Sequence, residues 1–393
     1  MTGSYPWIDS LMANPYRQVS DQVNIGLIGV GSRGQLLLEK LHKVSGMKIA
    51  AICDDYEPNY QKALALTDNR AKGYKDYRKL LEHKDLDAVV IATPLYLHKK
   101  MTLDAFEAGK HVFCEKAMAM TAEDCLAMVQ ARKMAKKVLQ IGHQRMFDLI
   151  YLEAIDQIRK GRLGAITQVR AYWHRNNNWR RSVPDESLER KINWRLYKDY
   201  SMGLLTELGT HHFQVAHWVL DKMPVSVVGS GGLNYWKDGR EVYDNINLIF
   251  RYDDGTHFIY DSMISNKKYG AEVQVMGNYG TMELETGWSF REDLPTGVGA
   301  VEFAKGREFT GVKVDGVSRP TWKMEQEESS GGVRILKGVD FPDSTQLQME
   351  GFVESVRKNK HVPELETQGL NASLMAMYAY EAMTESKVVP FPV

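Results

Sequence analysis

The chain has 393 residues with 50 basic and 50 acidic side chains, enough for two domains with sizeable cores. The charge balance argues against nucleic acid or a membrane surface as the main partner, and no apolar run is long enough to insert in a bilayer. Cys53, Cys114 and Cys125 give no paired framework and read as small core residues, so the cytoplasm is the expected compartment; the alternative is an exported protein whose signal has been removed.

Residues 1–21 contain Pro6, Trp7 and Pro15 but no apolar signal core, and read as an N-terminal arm. Val23–Gly34 opens the first domain. Ile25–Ile28 reads as a buried strand, Gly29, Gly31 and Gly34 follow in G-x-G-x-x-G spacing, and Gln35–Leu41 reads as a helix. Gly29 permits a tight turn, Gly31 lets backbone approach a pyrophosphate, and Gly34 lets helix and strand pack closely. The helix N-terminus, with Ser32 and Arg33, offers free N–H groups to phosphate. A second apolar run, Ile49–Cys53, ends at Asp54, about 20 residues past the last glycine, where an acid meets the ribose hydroxyls. A carboxylate there repels a 2′-phosphate, so NAD is expected over NADP.

Helical segments then alternate with strands: Tyr60–Leu66, Tyr77–Glu82, the strand Asp87–Ala92, a helix from Leu97 to Ala108, the strand His111–Cys114, a helix capped by Thr121 that runs to Ala135, and the strand Val138–Ile141. Such alternation predicts a doubly wound parallel sheet. Ligands bind beyond the carboxyl ends of its strands, where Thr93, Pro94, Glu115 and Lys116 fall. His98 either shapes the cofactor pocket or packs locally. The domain is taken as 22–142.

From 143 to 393 the pattern changes to an α+β domain. Phe147–Lys160 reads as a helix and Ile166–Trp173 as a strand. Arg175–Arg195 is irregular, basic and aromatic, and Gly203–Leu220 reads as a helix. From Val225 the chain is mostly strands. Asn245–Arg251 and His257–Ile264 form a hairpin at Asp253-Asp254-Gly255, and Glu272–Met276 pairs with Thr281–Leu284. Residues 285–340 predict a long excursion, and Gln346–Lys358 and Leu370–Lys387 are closing helices.

In this order of motifs the chain resembles the Gfo/Idh/MocA family (glucose–fructose oxidoreductase, inositol dehydrogenase, rhizopine catabolism). The resemblance runs from about Val23 to Pro390. It rests on Gly29-Val30-Gly31-Ser32-Arg33-Gly34, Ala92-Thr93-Pro94 with His98, Glu115-Lys116, Gly142-His143-Gln144-Arg145, and Glu207-Leu208-Gly209-Thr210-His211. It implies an α/β fold: a Rossmann domain followed by an α+β domain with an open, mostly antiparallel sheet that supports homodimers or homotetramers. It also implies NAD(P)-dependent chemistry at a sugar or cyclitol carbon. Two departures stand out. Ala117 replaces the proline that usually follows the Glu-Lys pair. Glu207 and Gln214 replace the two aspartates of the Asp-x-Gly-x-His-x-x-Asp motif.

Oxidising an alcohol needs a hydride acceptor and a base for the hydroxyl proton. Lys116, on the cofactor rim, and His211 are the candidates; Glu207, four residues before His211, shares its helix face. The plain alternatives are a solvated lysine and a structural histidine. Glu and His at that spacing can share a divalent ion, but His143, His174 and His217 supply no third ligand at a telling spacing, so no metal is expected. Gln144 opens the second domain beside the cofactor. Arg145, Trp179, Arg180, Trp194, Arg195 and Tyr197 are the candidates for substrate contact, because guanidinium groups beside indoles suit hydroxyl-rich or acidic sugars. Three functions are carried forward. The first is an NAD-dependent oxidoreductase acting on a ring hydroxyl of a sugar, glycoside or cyclitol. The second is a redox-neutral, NAD-dependent glycosidase working through transient C3 oxidation and elimination. The third is a non-catalytic NAD- and sugar-binding protein.

Overall fold

The computed structural model describes residues 22–291, 332–338 and 341–392. The expected N-terminal arm and most of the 285–340 excursion lie outside the described residues.

The first domain is a six-stranded, wholly parallel sheet: β1 (Val23–Ile28), β2 (Met47–Cys53), β3 (Lys72–Tyr74), β4 (Ala88–Ile91), β5 (His111–Cys114) and β6 (Leu139–Ile141), in the order β3-β2-β1-β4-β5-β6. β4 and β5 are buried along their whole length, as a parallel sheet covered on both faces demands. The short edge strand β3 was not foreseen, since three residues carry no period to read. The glycine turn is tight. Gly29 has φ +84°, and a Cβ on Gly34 would lie 2.1 Å from the Gly29 carbonyl oxygen. Hydrogen alone fits there, which draws the helix Ser32–Leu41 onto β1.

The second domain is built on a nine-stranded sheet ordered β14-β13-β12-β11-β7-β10-β9-β8-β15. Its strands are β7 (Ile166–His174), β8 (Ser226–Gly232), β9 (Asn245–Arg251), β10 (His257–Met263), β11 (Ala271–Gly277), β12 (Gly280–Glu283), β13 (Trp288–Arg291), β14 (Val333–Arg334) and β15 (Val389–Pro390). All neighbours are antiparallel except β7 and β10. On β9 and β10 burial alternates residue by residue, so one face lies on the core and the other is open.

Helix ends move from their expected places for local reasons. Asp148 caps Leu149–Arg159 by accepting from the Ile150 and Tyr151 amides, so the first helix of the second domain starts after Phe147. The last helix begins at Pro363, seven positions before the expected Leu370, because Pro is tolerated in the first turn. The helix Ser344–Arg357 returns to the first domain. Its Met349, Phe352, Val353 and Val356 are buried in the same core as Val23, Ile25 and Phe113. A division of the chain at residue 142 therefore omits a late helix that completes the first core.

The glycine turn yields a stability test. Gly34→Ala is expected to cost about 1–3 kcal/mol by overpacking, read as a lower urea midpoint. Gly31→Ala, whose Cβ meets nothing nearer than Asn59 Nδ2 at 3.6 Å, should shift stability by less than about 0.5 kcal/mol. Equal midpoints for the two variants would contradict the close packing.

Candidate active site

Two adjoining chambers, each of about 420 Å³, lie along the carboxyl rim of the first sheet and share Arg33, Ala92, Thr93, Arg181, Trp194 and Arg195 in their linings. The outer one is lined by Gly29, Gly31, Ser32, Asp54, Thr93 and Pro94 among others. Several of its features fit a dinucleotide. The N-terminus of the helix Ser32–Leu41 has no side-chain cap, so its amide hydrogens are free for phosphate. A Cβ on Gly31 would meet only Asn59 Nδ2, at 3.6 Å. Asp54 accepts from the Val30 amide (2.9 Å) and the Tyr56 amide (2.8 Å). These bonds aim the carboxylate at the chamber and leave lone pairs for hydroxyl donors. Burial pushes its pKa up, and the two amides offset part of that rise.

His98, on the same rim, has a carbonyl at each ring nitrogen: Ala117 O at 2.8 Å and Thr93 O at 3.0 Å. It ties the end of β4 to the segment after β5, and burial lowers its pKa. Glu115 accepts from Arg33 Nε at 2.6 Å, which joins the rim to the glycine turn. Gln144 lines the inner chamber, with its Oε1 buried and without a hydrogen-bond partner.

The inner chamber brings Lys116, Glu207 and His211 together. Lys116 follows β5, and the Lys116–Ala117 peptide is cis. Its Nζ crosses to the second domain and donates to the carbonyls of Glu207 (3.0 Å) and Thr206 (3.3 Å). Those carbonyls belong to a π-helical turn, Leu205–Gly209, that precedes the helix Thr210–Leu220. The uninterrupted helix expected over 203–220 is thus broken where the lysine docks. A π turn displaces carbonyls from their i→i+4 partners and is frequent at functional sites. Desolvation lowers the Lys116 pKa, and the carboxylates of Glu207 and Glu115 pull the other way.

Glu207 accepts from Arg195 Nε at 2.6 Å and from Ser201 Oγ at 3.4 Å. Burial raises its pKa, but Arg195 and Lys116 outweigh that effect and hold the carboxyl below its usual value. His211 is buried with Nδ1 unpartnered. Burial, then the charges of Lys116 and Arg145, keep its pKa well below 6.5. The His143 ring lies edge-on to it at 5.8 Å, and the Trp173 ring is tilted against it at 5.7 Å. His212 turns the other way, towards Tyr260 and Glu285.

Of the expected substrate contacts, Trp179, Trp194 and Arg195 line the inner chamber. Trp179 does so from a left-handed backbone, φ +60°, uncommon for a bulky residue and a mark of functional constraint. Arg145, Arg180 and Tyr197 do not line it, a correction to the sequence-based expectation. Arg145 is buried behind Trp173, where it pairs with Glu285 and donates to Tyr151 Oη at 3.1 Å. Arg180 is held by Glu189 and Asp238, and the Tyr197 hydroxyl donates to Glu189. Each is engaged by an acid: Arg145 by one 140 positions away, Arg180 by acids 9 and 58 positions away, and Tyr197 by one 8 positions away. Arg175 and Arg181, which fall in the basic and aromatic stretch expected to meet substrate, line the chamber, and so does Trp173, which lies outside that stretch. The period of two along β7, with Val169 and Ala171 buried, places Trp173 on the inner face and is a signal that was available.

Three imidazoles share this site. Burial lowers His143 to about 3 and His212 to about 4, and His211 is lowered as well. In the unfolded chain they protonate near pH 6.5. Below that pH the unfolded state binds more protons, so stability falls as pH drops from 6.5 towards 4, by at most about 1.4 kcal/mol per unit for each histidine. Urea unfolding at pH 7, 6 and 5 is expected to show this loss, and His143→Asn to lessen its slope. A flat profile would contradict the buried neutral imidazoles.

Comparison with known proteins supplies independent context. Residues 23–143 match the family described as an oxidoreductase family with an NAD-binding Rossmann fold, and residues 151–283 match the GFO/IDH/MocA C-terminal domain. An inositol 2-dehydrogenase of Salmonella typhimurium is 32% identical over 199 residues, covering 50% of this chain and 54% of that protein. A glycosyl hydrolase family 109 protein of a Shewanella species is 28% identical over 200 residues, covering 47% and 44%. The chain thus spans about half the length of the curated relatives it matches. The crystal structure of scyllo-inositol dehydrogenase from Lactobacillus casei, with bound NAD(H) and scyllo-inositol, superposes with a TM-score of 0.69 at 22% identity. It covers 94% of this chain and 99% of that one.

Proposed function

Because this chain belongs to the Gfo/Idh/MocA oxidoreductase family, we propose that it is an NAD-dependent oxidoreductase acting on a ring hydroxyl of a sugar, glycoside or cyclitol. The observation that carries this reading is the convergence of Lys116, Glu207 and His211 on one chamber that opens to the glycine turn. NAD, when bound, supplies the hydride acceptor; Gly31, Ser32 and Asp54 would hold its phosphates and ribose, and Thr93, Pro94 and Gln144 flank the way into the inner chamber.

The chain's own residues handle the proton. A neutral amine has two N–H bonds and one lone pair. The carbonyls of Thr206 and Glu207 engage two donors of Lys116, so the group left to face a substrate hydroxyl is the lone pair. Desolvation favours that neutral form. His211, neutral and with Nδ1 unpartnered, is the second acceptor in the same chamber. The ionised Glu207 stabilises the ammonium that forms once Lys116 takes the proton. Indoles at Trp179 and Trp194 give apolar walls suited to a sugar ring.

A redox-neutral glycosidase reading, with which the family 109 relative agrees, asks Glu207 to act as an acid. Arg195, paired with that carboxyl, holds it below its usual value against the effect of burial, which favours the oxidoreductase reading. Assembly through the open face of the nine-stranded sheet is part of the proposal; Val228 and Ile249 are exposed there. Among the described residues no helix is long and apolar enough to cross a membrane.

The test is formation of reduced cofactor, followed by absorbance with NAD and a panel of sugars and cyclitols. Lys116→Met is expected to lower kcat by about 10²–10⁴ with NAD affinity retained. Turnover unchanged by that substitution would end the reading.

A further inference from the structure

The basic side chains of the irregular stretch and the chamber fall into two sets. Arg180 is paired with Glu189 and Asp238, Arg190 with Asp199 and Glu241, and Arg195 with Glu207. Nearby, Arg240 is paired with Asp238 and Arg33 with Glu115. Among the described residues, Arg175 and Arg181 have no carboxylate partner, and both line the inner chamber. The two carboxylates of that chamber, Glu115 and Glu207, are already engaged. The chamber lining therefore carries an excess of positive charge, although the chain as a whole is neutral. Burial lowers the pKa of Arg175 and of Arg181, and Arg195 adds like-charge repulsion to the latter.

The two arginines differ in what they face. Arg181 lines both chambers and is thus within reach of a dinucleotide as well as a substrate. Arg175 lines only the inner chamber. Its guanidinium lies over the Trp173 ring, 4.9 Å from the centroid. Stacking fixes the plane of the fork and leaves its N–H edge free for a planar, bidentate acceptor. A neutral polyol can meet such a fork only through uncharged hydroxyl acceptors, whereas a carboxylate matches it in charge and in bidentate geometry.

Resting on the oxidoreductase reading of this chamber, we infer that the substrate is an acidic sugar, a uronate or a glycoside bearing a carboxylate. Arg175 receives the carboxylate, Arg181 adds positive charge to the same chamber, and Trp173 and Trp179 wall the ring.

Calorimetric binding to the full chain in the presence of NAD tests this directly. The probes are uronates of several ring configurations, the neutral parent sugars, the corresponding sugar 6-phosphates, and sulfate alone. At least one uronate is expected to bind about tenfold or more tightly than its neutral parent. Arg175→Gln should abolish that preference while leaving NAD affinity unchanged. The inference is overturned if neutral sugars bind as well as the uronates, if no uronate binds, if Arg175→Gln leaves the preference intact, or if a sugar phosphate or sulfate binds as tightly. The two readings fail separately. Neutral sugars that bind and yield NADH would remove the acidic substrate and keep the oxidoreductase, whereas uronates that bind through Arg175 without yielding NADH would do the reverse.

Discussion

The site depends on one contact between the two halves of the molecule, the Lys116 amine against the carbonyls of Thr206 and Glu207. The lysine is supplied by the end of a parallel strand and the carbonyls by a π turn of the second domain. In a regular helix those carbonyls would be committed along the axis, and the lysine would have no acceptor on that side. With them, a buried amine is anchored by its donors and not by a counter-ion. That distinction matters for chemistry. A carboxylate at the same place would favour the ammonium, whereas neutral carbonyls orient the nitrogen with less penalty for losing its proton.

The electrostatics around this contact follow the same logic. The two carboxylates of the chamber are each held by an arginine, Glu115 by Arg33 and Glu207 by Arg195. Breaking a buried pair by removing one partner leaves an uncompensated charge, and the Arg195 pair holds the Glu207 carboxyl below its usual value. Glu207 then acts on Lys116 as a fixed negative charge and not as a rival proton donor. Behind the chamber, Arg145 with Glu285 and Tyr151 places a buried cation under Trp173. Its field is felt by His211, whose imidazole is held neutral by burial first and by cations second.

Much of the architecture was legible because it rests on local rules. Glycine spacing marked the nucleotide turn. Continuous apolar runs marked β4 and β5, and Asp253-Asp254-Gly255 marked the hairpin between β9 and β10. The three residues expected to do chemistry reach one chamber, since Lys116 ends a strand on the ligand rim and Glu207 and His211 lie close in sequence. What stayed hidden depends on partners far apart in the chain. Arg145 meets an acid 140 positions later, and Arg180 meets one 58 positions later, so neither composition nor spacing could show that they are spoken for. The π turn was invisible for another reason. Its sequence, Leu-Thr-Glu-Leu-Gly, holds one glycine, which weakens a helix without specifying a wider turn, and what answers to it is a lysine 91 positions earlier.

The irregular stretch between β7 and the π turn shows how such a site is made from groups that are individually unremarkable. Its arginines are alike in sequence, and only their partners separate framework from wall. Arg180, joined to Glu189 and Asp238, fastens the stretch to the loop before β9, and Asn193 closes it internally through the backbone of Arg181. This framework supports the left-handed backbone at Trp179, a conformation that persists only where surrounding contacts over-determine it. Held in that way, an indole can stand at the chamber without relying on a ligand to order it. Preorganisation of this kind reduces the entropy lost on binding, and it leaves the cations of the chamber free to discriminate by charge what the indoles accept by shape.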